Sequence, residues 1–222
     1  MHLFIELAKL NKKNKMFKSL FFSIIILIGN SAMAIEEPRF TVITEDKPFE
    51  VRVYEPMIIA EVQVSGDRDS ATNQGFRLIA DYIFGNNAGT NQASEKIAMT
   101  APVTIEKQTK AKLPLSSTQE ELADGIWRIQ FVMPAEYTLA NLPKPKNHLV
   151  KIRQVPSRTY AAYIYSGLNG LEKVSKITQE LTAWIDQNHY EAIGSPQLAR
   201  YNPPWTLPIF RRNEVLIEVK AK

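Results

Sequence analysis

Two stretches of the chain alternate apolar and polar residues in the same way, about 100 positions apart. In the first, Phe49–Tyr54 and Ile59–Val64 alternate on either side of a proline. In the second, Leu149–Val155 and Tyr160–Tyr165 do the same, and a Ser-Gly pair ends each stretch. A period of two broken by turn residues is typical of β-strands, so each stretch predicts two strands.

Helical periodicity follows each Ser-Gly pair. In the first helix we expect Asp69 or Ser70 to be the N-cap and Gly85 to occupy the C′ position. The second helix is expected to begin near Leu171, with Gly194 beyond its end. The apolar positions of the first helix are Ala71, Gly75, Leu78, Ile79, Tyr82 and Ile83. Those of the second are Val174, Ile177, Leu181, Trp184 and Ile185.

Two more strands are predicted after each helix, which gives the order ββαββ twice. They are Thr100–Lys107, Ile126–Met133, Pro196–Tyr201 and Glu214–Val219. Three polar or proline-rich stretches are expected to be surface loops, namely Gly85–Ser94, Gln108–Gly125 and Pro134–Lys146. The pattern predicts an α+β fold: two pseudo-symmetric repeats forming a distorted antiparallel sheet or barrel with two packed helices.

The first 34 residues have the order of a cleavable signal peptide. Five lysines and one acid precede an apolar run at Leu20–Ile28, and small residues lead to a cut after Ala34. A membrane anchor is the alternative, but the run has about half the roughly 20 residues needed to span a bilayer. Either Met1 or Met16 is the start. We therefore expect residues 35–222 to be a single periplasmic or secreted domain without a stable membrane anchor.

The charge balance changes the picture once the leader is removed. Lys+Arg fall to 22 and Asp+Glu to 22, so the excess of four positive charges in the full chain disappears. Without a basic surface to neutralise phosphates, we expect no nucleic-acid partner. The chain has no cysteine, which excludes disulfides and thiolate chemistry.

The motifs of common hydrolases and metalloenzymes are absent from the sequence, which favours a binding protein over an enzyme and predicts no metal site. We expect His189 in the last turn of the second helix, where a cation complements the helix dipole. His148 precedes a strand, as a solvated loop residue or a ligand. Glu214 has two interpretations: a buried acceptor for a cation in a cavity between sheet and helices, or a strand-edge charge paired with Arg211 or Arg212.

Two strings resemble the SOUL haem-binding family. Lys96–Val103 contains Met-Thr-x-Pro-Val, and Tyr201–Val215 contains Tyr-x-Pro-Pro followed by Arg-Arg-Asn-Glu-Val. The resemblance covers roughly Pro38 to Val219. It implies a distorted barrel with two long helices, related in shape to gyrase-inhibitor-like domains. It also implies reversible, non-covalent binding of haem or another tetrapyrrole in an apolar groove beside the first helix.

Carried onto this sequence, the resemblance makes Phe76, Arg77 and Ala80 candidates for the groove, with Arg77 facing a propionate. His148 and, second to it, Met99 are candidate iron ligands. Basic residues that some relatives place on this helix correspond to Asn73 and Asp81, a departure that weakens anion binding. Gly75 indicates either close approach of a flat ligand or helix-to-sheet packing.

A second hypothesis is an envelope binder or hydrolase of a cationic or amphipathic small molecule. It would use the same cavity, with Glu214 as the acceptor and Tyr163 or Trp205 as aromatic neighbours. The physiological ligand, protein partners and oligomeric state are not encoded in any motif.

Overall fold

The computed structural model describes residues 35–108 and 125–222, and these residues form two α-helices and twelve strands. The helices are α1 (Arg68–Ile83) and α2 (Leu171–Gln187), with a short 3-10 turn at Pro208–Phe210. The strands are β1 Phe40–Asp46, β2 Phe49–Tyr54, β3 Met57–Ser65, β4 Asn87–Ala88, β5 Val103–Lys107, β6 Ile126–Val132, β7 Lys144–Pro145, β8 Lys151–Val155, β9 Arg158–Ser166, β10 Tyr190–Ala192, β11 Gln197–Arg200 and β12 Arg212–Ala221. The predicted signal peptide and residues 109–124, which make up most of the predicted loop Gln108–Gly125, lie outside the described residues.

The main sheet is antiparallel and confirms the predicted pseudo-symmetry. Its order is β1-β2-β9-β12-β11-β5-β6-β3-β8, with β10 added beside β12. The pseudo-symmetry is centred on the neighbouring strands β11 and β5, which are equivalent strands of the two repeats. Moving outward from this pair, β12, β9 and β2 on one side correspond to β6, β3 and β8 on the other. The first strand of each repeat therefore pairs with the second strand of the other repeat, which locks the two repeats together.

Both helices pack on the same face of this sheet. Ile129 of β6 lies opposite Ile105 of β5, which lies opposite Leu198 of β11, which lies opposite Val215 of β12. Residues directly opposite in an antiparallel ladder share a face. Ile129 belongs to the core under α1 and Val215 to the core under α2, so one apolar layer runs beneath both helices.

The cap of α1 differs from the prediction. Asp67, not Asp69 or Ser70, is the N-cap, and its carboxylate accepts hydrogen bonds from the backbone N–H groups of both those residues at 3.0 Å. At the other end, Gly85 follows the C-cap Phe84 with a φ of +126°, as the C′ prediction requires.

Helix α2 begins at Leu171 as predicted. Four of the five residues of its predicted stripe are buried, namely Ile177, Leu181, Trp184 and Ile185, and Val174 is half-buried. The prediction for His189 is wrong. The helix ends at Gln187 with Asn188 as its C-cap, and His189 follows with a φ of +63°. The residue is therefore the left-handed residue that ends the helix and not a cation in its last turn.

The remaining differences are short or peripheral strands. β1 is an edge strand that pairs only with β2, and most of its residues are exposed, so it lacks the alternation that marked the others. β4 and β7 are two-residue strands inside predicted loops, where Asn87 pairs with Pro145 and Ala88 with Lys144.

Candidate functional site

Helix α1 packs very closely on the sheet at Gly75. A Cβ atom at this position would lie 2.8 Å from both Cδ1 and Cγ1 of Ile129, which is fully buried. Helix-to-sheet packing, the second of the two interpretations of this glycine, is thus correct. No room for a flat ligand remains between α1 and β6 at this level.

Another side of α1 carries an apolar stripe that is exposed to solvent at both ends. Phe76, Ala80 and Phe84 are spaced by four residues and share one helix face; Phe76 is 40% exposed and Phe84 56% exposed. The stripe from Phe76 to Phe84 is therefore about 12 Å long, because each helical residue adds about 1.5 Å. The exposed Arg77 follows Phe76, and no described acidic side chain forms an ion pair with it. We call Phe76, Arg77, Ala80 and Phe84 the outer face of α1.

Segments containing the two candidate iron ligands flank the C-terminal end of α1. On one side, the backbone N–H of Ile97 donates to the carbonyl of Ile83 at 2.8 Å, and the exposed Met99 follows two residues later. On the other side, the Tyr82 hydroxyl donates to the carbonyl of Pro143 at 2.8 Å, in the segment that leads to the exposed His148. The five predicted site residues thus lie on α1 or on segments bonded to its end.

The sheet face away from the helices carries paired charges. Arginine and glutamate side chains meet in four places on this face, three times across neighbouring strands and once across an intervening strand. These pairs are Arg52 with Glu214, Arg128 with Glu106, Arg153 with Glu61, and Arg158 with Glu218. Three of the four pairs contribute to a cavity of about 320 Å³ that also includes Tyr54 and Tyr160.

Glu214 is fully buried on this face, and its carboxylate accepts five hydrogen bonds from the chain itself. Arg52 donates Nη1 to Oε2 at 2.7 Å and Nη2 to Oε1 at 3.2 Å. Arg212 donates Nε and Nη2 to Oε1, at 3.0 and 2.8 Å, and Tyr201 donates its hydroxyl to Oε2 at 2.8 Å. The expected pairing with Arg212 is confirmed, whereas Arg52 is a partner that the sequence did not reveal.

The other interpretation of Glu214, an acceptor for a cation in a cavity between sheet and helices, is therefore wrong in its geometry. The carboxylate lies on the side of the sheet away from the helices, not between sheet and helices. The aromatic side chains beside the carboxylate are those of Tyr201 and Tyr54. The expected neighbours lie elsewhere: Tyr163 packs edge-on against Phe49 under α2, and Trp205 projects into solvent. Arg52 was missed since its partner lies 162 residues away; the only signal was the string Glu50-Arg52-Tyr54 on one face of a strand that is buried on both faces.

The electrostatics of this cluster are those of a closed ion-pair network. Burial opposes the charge on Arg52, but the Glu214 carboxylate outweighs it and raises the pKa of the guanidinium. Burial, reinforced by Glu214, raises the pKa of Tyr54 to about 12 and also raises that of Tyr201. Arg52 therefore stays charged and both tyrosines stay neutral at neutral pH, and both oxygens of Glu214 already accept hydrogen bonds, so the cluster offers no unpaired carboxylate.

Two further cavities lie elsewhere. One of about 390 Å³ lies beside Glu37, Met133 and Leu139. The other, about 720 Å³, runs along α2 from Leu171 to Thr178 and includes Trp127. None of these three cavities includes Phe76, Arg77, Ala80, Met99 or His148; of these five side chains all but the half-buried Ala80 are exposed. Within the described part of the chain, no helix is long and apolar enough to cross a membrane.

Comparison with solved structures shows the fold. The C-terminal domain of EcmrR superposes with a TM-score of 0.54 at 13% identity, covering 78% of this chain and 98% of that domain. A hydrolase from Listeria innocua gives 0.52 at 11% identity, covering 80% and 94%. EcmrR in a DNA complex gives 0.55 at 11% identity, covering 97% and 68%. At these identities the likeness extends to the fold alone.

The sequence comparison identifies the family. No curated protein matches the chain. The family model of the SOUL haem-binding proteins matches residues 35–218, which includes both helices and all strands of the two repeats except the last three residues of β12. The chain therefore belongs to the SOUL haem-binding protein family, and its fold is the α+β half-barrel with two helices that the doubled strand pattern predicted.

Proposed function

We propose that this chain is an exported protein that binds haem or another tetrapyrrole reversibly and without a covalent bond, on the outer face of α1. The observation that carries the proposal is the solvent-facing stripe of Phe76, Ala80 and Phe84 with Arg77 beside it, in a chain of the SOUL haem-binding family. The sheet side of the same helix is closed at Gly75, which leaves the outer side for a ligand.

The residues of the outer face fit the chemistry of a tetrapyrrole. Phe76 and Phe84 offer aromatic surface to a flat apolar ring, and Ala80 between them leaves the backbone accessible to close approach. Arg77 can donate two parallel hydrogen bonds to a propionate carboxylate. Bound haem would supply an iron that accepts axial ligands, for which His148 and Met99 are the candidates.

Reversible binding follows from the exposure of these side chains. A ligand on a helix face loses less contact with water than one inside a cavity, and hydrophobic stabilisation scales with the area removed from water. Asn73 and Asp81, on the same helix, add no positive charge for the propionates. We therefore expect an affinity suited to transfer or buffering of the ligand.

Binding of a cation at Glu214 is not supported by the contacts of that residue. Both carboxylate oxygens already accept hydrogen bonds from Arg52, Arg212 and Tyr201. A cationic ligand would have to displace a buried arginine, and separating a buried ion pair costs about 3–5 kcal/mol.

Export rests on the sequence of the first 34 residues. If the signal is cleaved after Ala34, N-terminal sequencing of the protein from the native envelope will begin at Ile35. A mature protein that retains the apolar run Leu20–Ile28 would contradict this part of the proposal without affecting ligand binding.

A Soret titration of the purified mature protein tests ligand binding. We expect haem and a metal-free porphyrin to bind with a Kd below about 10 µM, which corresponds to roughly −7 kcal/mol. Phe76→Ala and Arg77→Glu should weaken binding more than His148→Ala, because the ring and propionate contacts dominate. Ile43→Ala on the exposed edge strand β1 and Lys176→Glu on α2 are matched controls that should leave binding unchanged.

Two outcomes would contradict the proposal. Absence of binding by both ligands at that concentration would remove tetrapyrrole binding itself. If His148→Ala weakened haem binding most, while metal-free porphyrin bound poorly, iron coordination and not the outer face of α1 would be the main source of affinity.

A further inference from the structure

A second apolar surface lies on the loop between β11 and β12. We call Pro203–Phe210 the apolar loop. Four large side chains in it project into solvent, each between 63% and 83% exposed. They are Trp205, Leu207, Ile209 and Phe210. Monomeric proteins rarely expose a contiguous apolar patch of this kind without a binding partner.

The apolar loop is held in this projecting conformation. The Arg211 guanidinium folds back under it, donating Nε to the carbonyl of Thr206 at 2.7 Å and Nη2 to the carbonyl of Pro204. A 3-10 turn at Pro208–Phe210 closes the loop. The three prolines of the apolar loop restrict its backbone. The exposed side chains therefore belong to a preformed structure.

The loop also satisfies most of its own backbone carbonyls. Five of its eight carbonyl oxygens accept hydrogen bonds from within the loop or from Arg211. The acceptors are Pro203, Pro204, Thr206, Leu207 and Pro208. Internal satisfaction of polar backbone groups is what a segment needs when it leaves water for hydrocarbon, and a loop designed for water does not require it.

Positive charge lies at the base of the loop. Arg200 is directly opposite Asn213 in the β11–β12 ladder, and Arg211 lies two residues before Asn213, so both arginines are on the helix side of the sheet. Between Ile193 and Asn213 the chain has no acidic residue, and the third arginine of this stretch, Arg212, pairs with Glu214 on the other face. Burial and then Arg211 lower the pKa of Arg200, and Asp69 only partly opposes this shift.

A neighbouring turn extends the same end of the molecule. Asn213 donates its Nδ2 to the carbonyl of Gly167 at 3.0 Å, which holds the turn after β9 beside the start of β12. Leu168 and Leu171 in and after that turn are also exposed. Acidic groups at this end, Asp69 and Glu172, belong to the helix N-termini and not to the apolar loop.

We propose that the apolar loop docks reversibly on a phospholipid bilayer, with its four apolar side chains at the headgroup–acyl boundary and the arginines behind it near lipid phosphates. An indole at the interface, flanking aliphatic side chains and cations behind them is the arrangement that interfacial anchors use. A projecting wedge with internally bonded carbonyls fits a fluid surface better than a protein interface, which would pair those groups across the contact.

Trp205 provides a direct readout of docking. It is the most exposed of the three tryptophans, because Trp184 is buried and Trp127 is partly buried. On titration of the mature, ligand-free protein with phosphatidylcholine vesicles containing phosphatidylglycerol, we expect a blue shift of the emission and quenching by brominated acyl chains. The shift should disappear in Trp205→Phe, and pure phosphatidylcholine should bind more weakly.

Variants locate the contact. Leu207→Glu combined with Ile209→Glu should reduce vesicle partitioning about tenfold or more. Each substitution removes an apolar side chain whose burial alone favours partitioning by about that factor. Ile43→Glu combined with Ile193→Glu, at exposed positions outside the loop, is the matched control and should bind like the wild type. Arg211→Ala should weaken binding while the far-ultraviolet circular dichroism stays unchanged, because it releases the loop and not the sheet.

Three results would overturn the proposal, and none depends on the haem titration. The first is no co-sedimentation with anionic vesicles. The second is a dimer that Leu207→Glu dissociates, in the absence of vesicle binding, which would assign the surface to a second copy of the chain. The third is a Trp205 response to porphyrin but not to vesicles, which would make the loop part of the ligand site.

Discussion

The Arg52 guanidinium and the Glu214 carboxylate form a two-point ion pair inside the sheet, with Nη1–Oε2 at 2.7 Å and Nη2–Oε1 at 3.2 Å. Arg52 belongs to β2 in the first repeat and Glu214 to β12 in the second. Both side chains are buried, and β9 separates their strands. The pair therefore links the two repeats through charge on the face that the helices do not cover.

Removing the charge of Glu214 should be strongly destabilising. Glu214→Gln leaves Arg52 and Arg212 beside a neutral amide, and loss of one partner of a buried pair costs about 3–5 kcal/mol. The free energy of unfolding in urea measures the loss. Glu191→Gln, which removes a half-exposed pair with Lys220 at 3.1 Å, is the control and should cost less than about 1 kcal/mol. Equal losses in the two variants would show that water reaches the buried cluster.

Tyr54 makes stability sensitive to alkaline pH. Burial and the Glu214 carboxylate raise its pKa to about 12, against about 10 in an unfolded chain. Because the folded state keeps the proton longer, this stabilisation is complete below about pH 10 and is lost as the pH rises towards 12. A pKa difference of about two between the folded and the unfolded state corresponds to about 3 kcal/mol of stability.

The measurement is the free energy of unfolding of the wild type and Tyr54→Phe between pH 9 and pH 12. Tyr54→Phe should lose less stability over this range, although the raised pKa of Tyr201 keeps some dependence in the variant. Identical pH slopes for the two proteins would show that Tyr54 is ionised as easily in the folded state as in the unfolded chain.

The local pattern of the sequence predicted the elements, whereas the pairings depended on the sheet. Period-two and helical spacing located the eight strands of the repeats and both helices, since apolar and polar residues alternate along each of them with the period of that element. The same spacing could not show that Arg52 meets Glu214, because strand order brings them together across 162 residues. Nor could it show the closed contact of Gly75 with Ile129, which depends on how deeply α1 settles on β6.

Helix ends were predicted less well, for a local reason. Several neighbouring residues could cap α1, and the φ angle of +63° at His189 is a conformation that glycine or asparagine adopts more readily. His189→Gly should therefore stabilise the fold by about 1 kcal/mol, which is the cost of a left-handed conformation for a residue with a Cβ. Gln187→Gly, two residues earlier and inside the helix, should destabilise it by a similar amount. Thermal unfolding of both variants checks the opposite signs, and a loss in both would contradict the C′ role of His189.

Gly75 tests both the packing of α1 and the location of the ligand. Gly75→Ala would place its Cβ 2.8 Å from two carbons of Ile129, so we expect a net loss of about 1–3 kcal/mol despite the better helix propensity of alanine. When Gly75→Ala is combined with Ile129→Ala, the loss of stability should be smaller than the sum of the two single losses, because the double variant removes the clash. Ser175→Ala on the exposed side of α2 is the control.

The same variant separates the two sides of the helix. If the tetrapyrrole lies on the outer face of α1, folded Gly75→Ala should bind porphyrin as the wild type does, while Phe76→Ala should not. Loss of porphyrin binding in folded Gly75→Ala, with Phe76→Ala unaffected, would place the ligand between α1 and β6. The sheet side of the helix would then have to open by more than a methyl group, against the contact that now closes it.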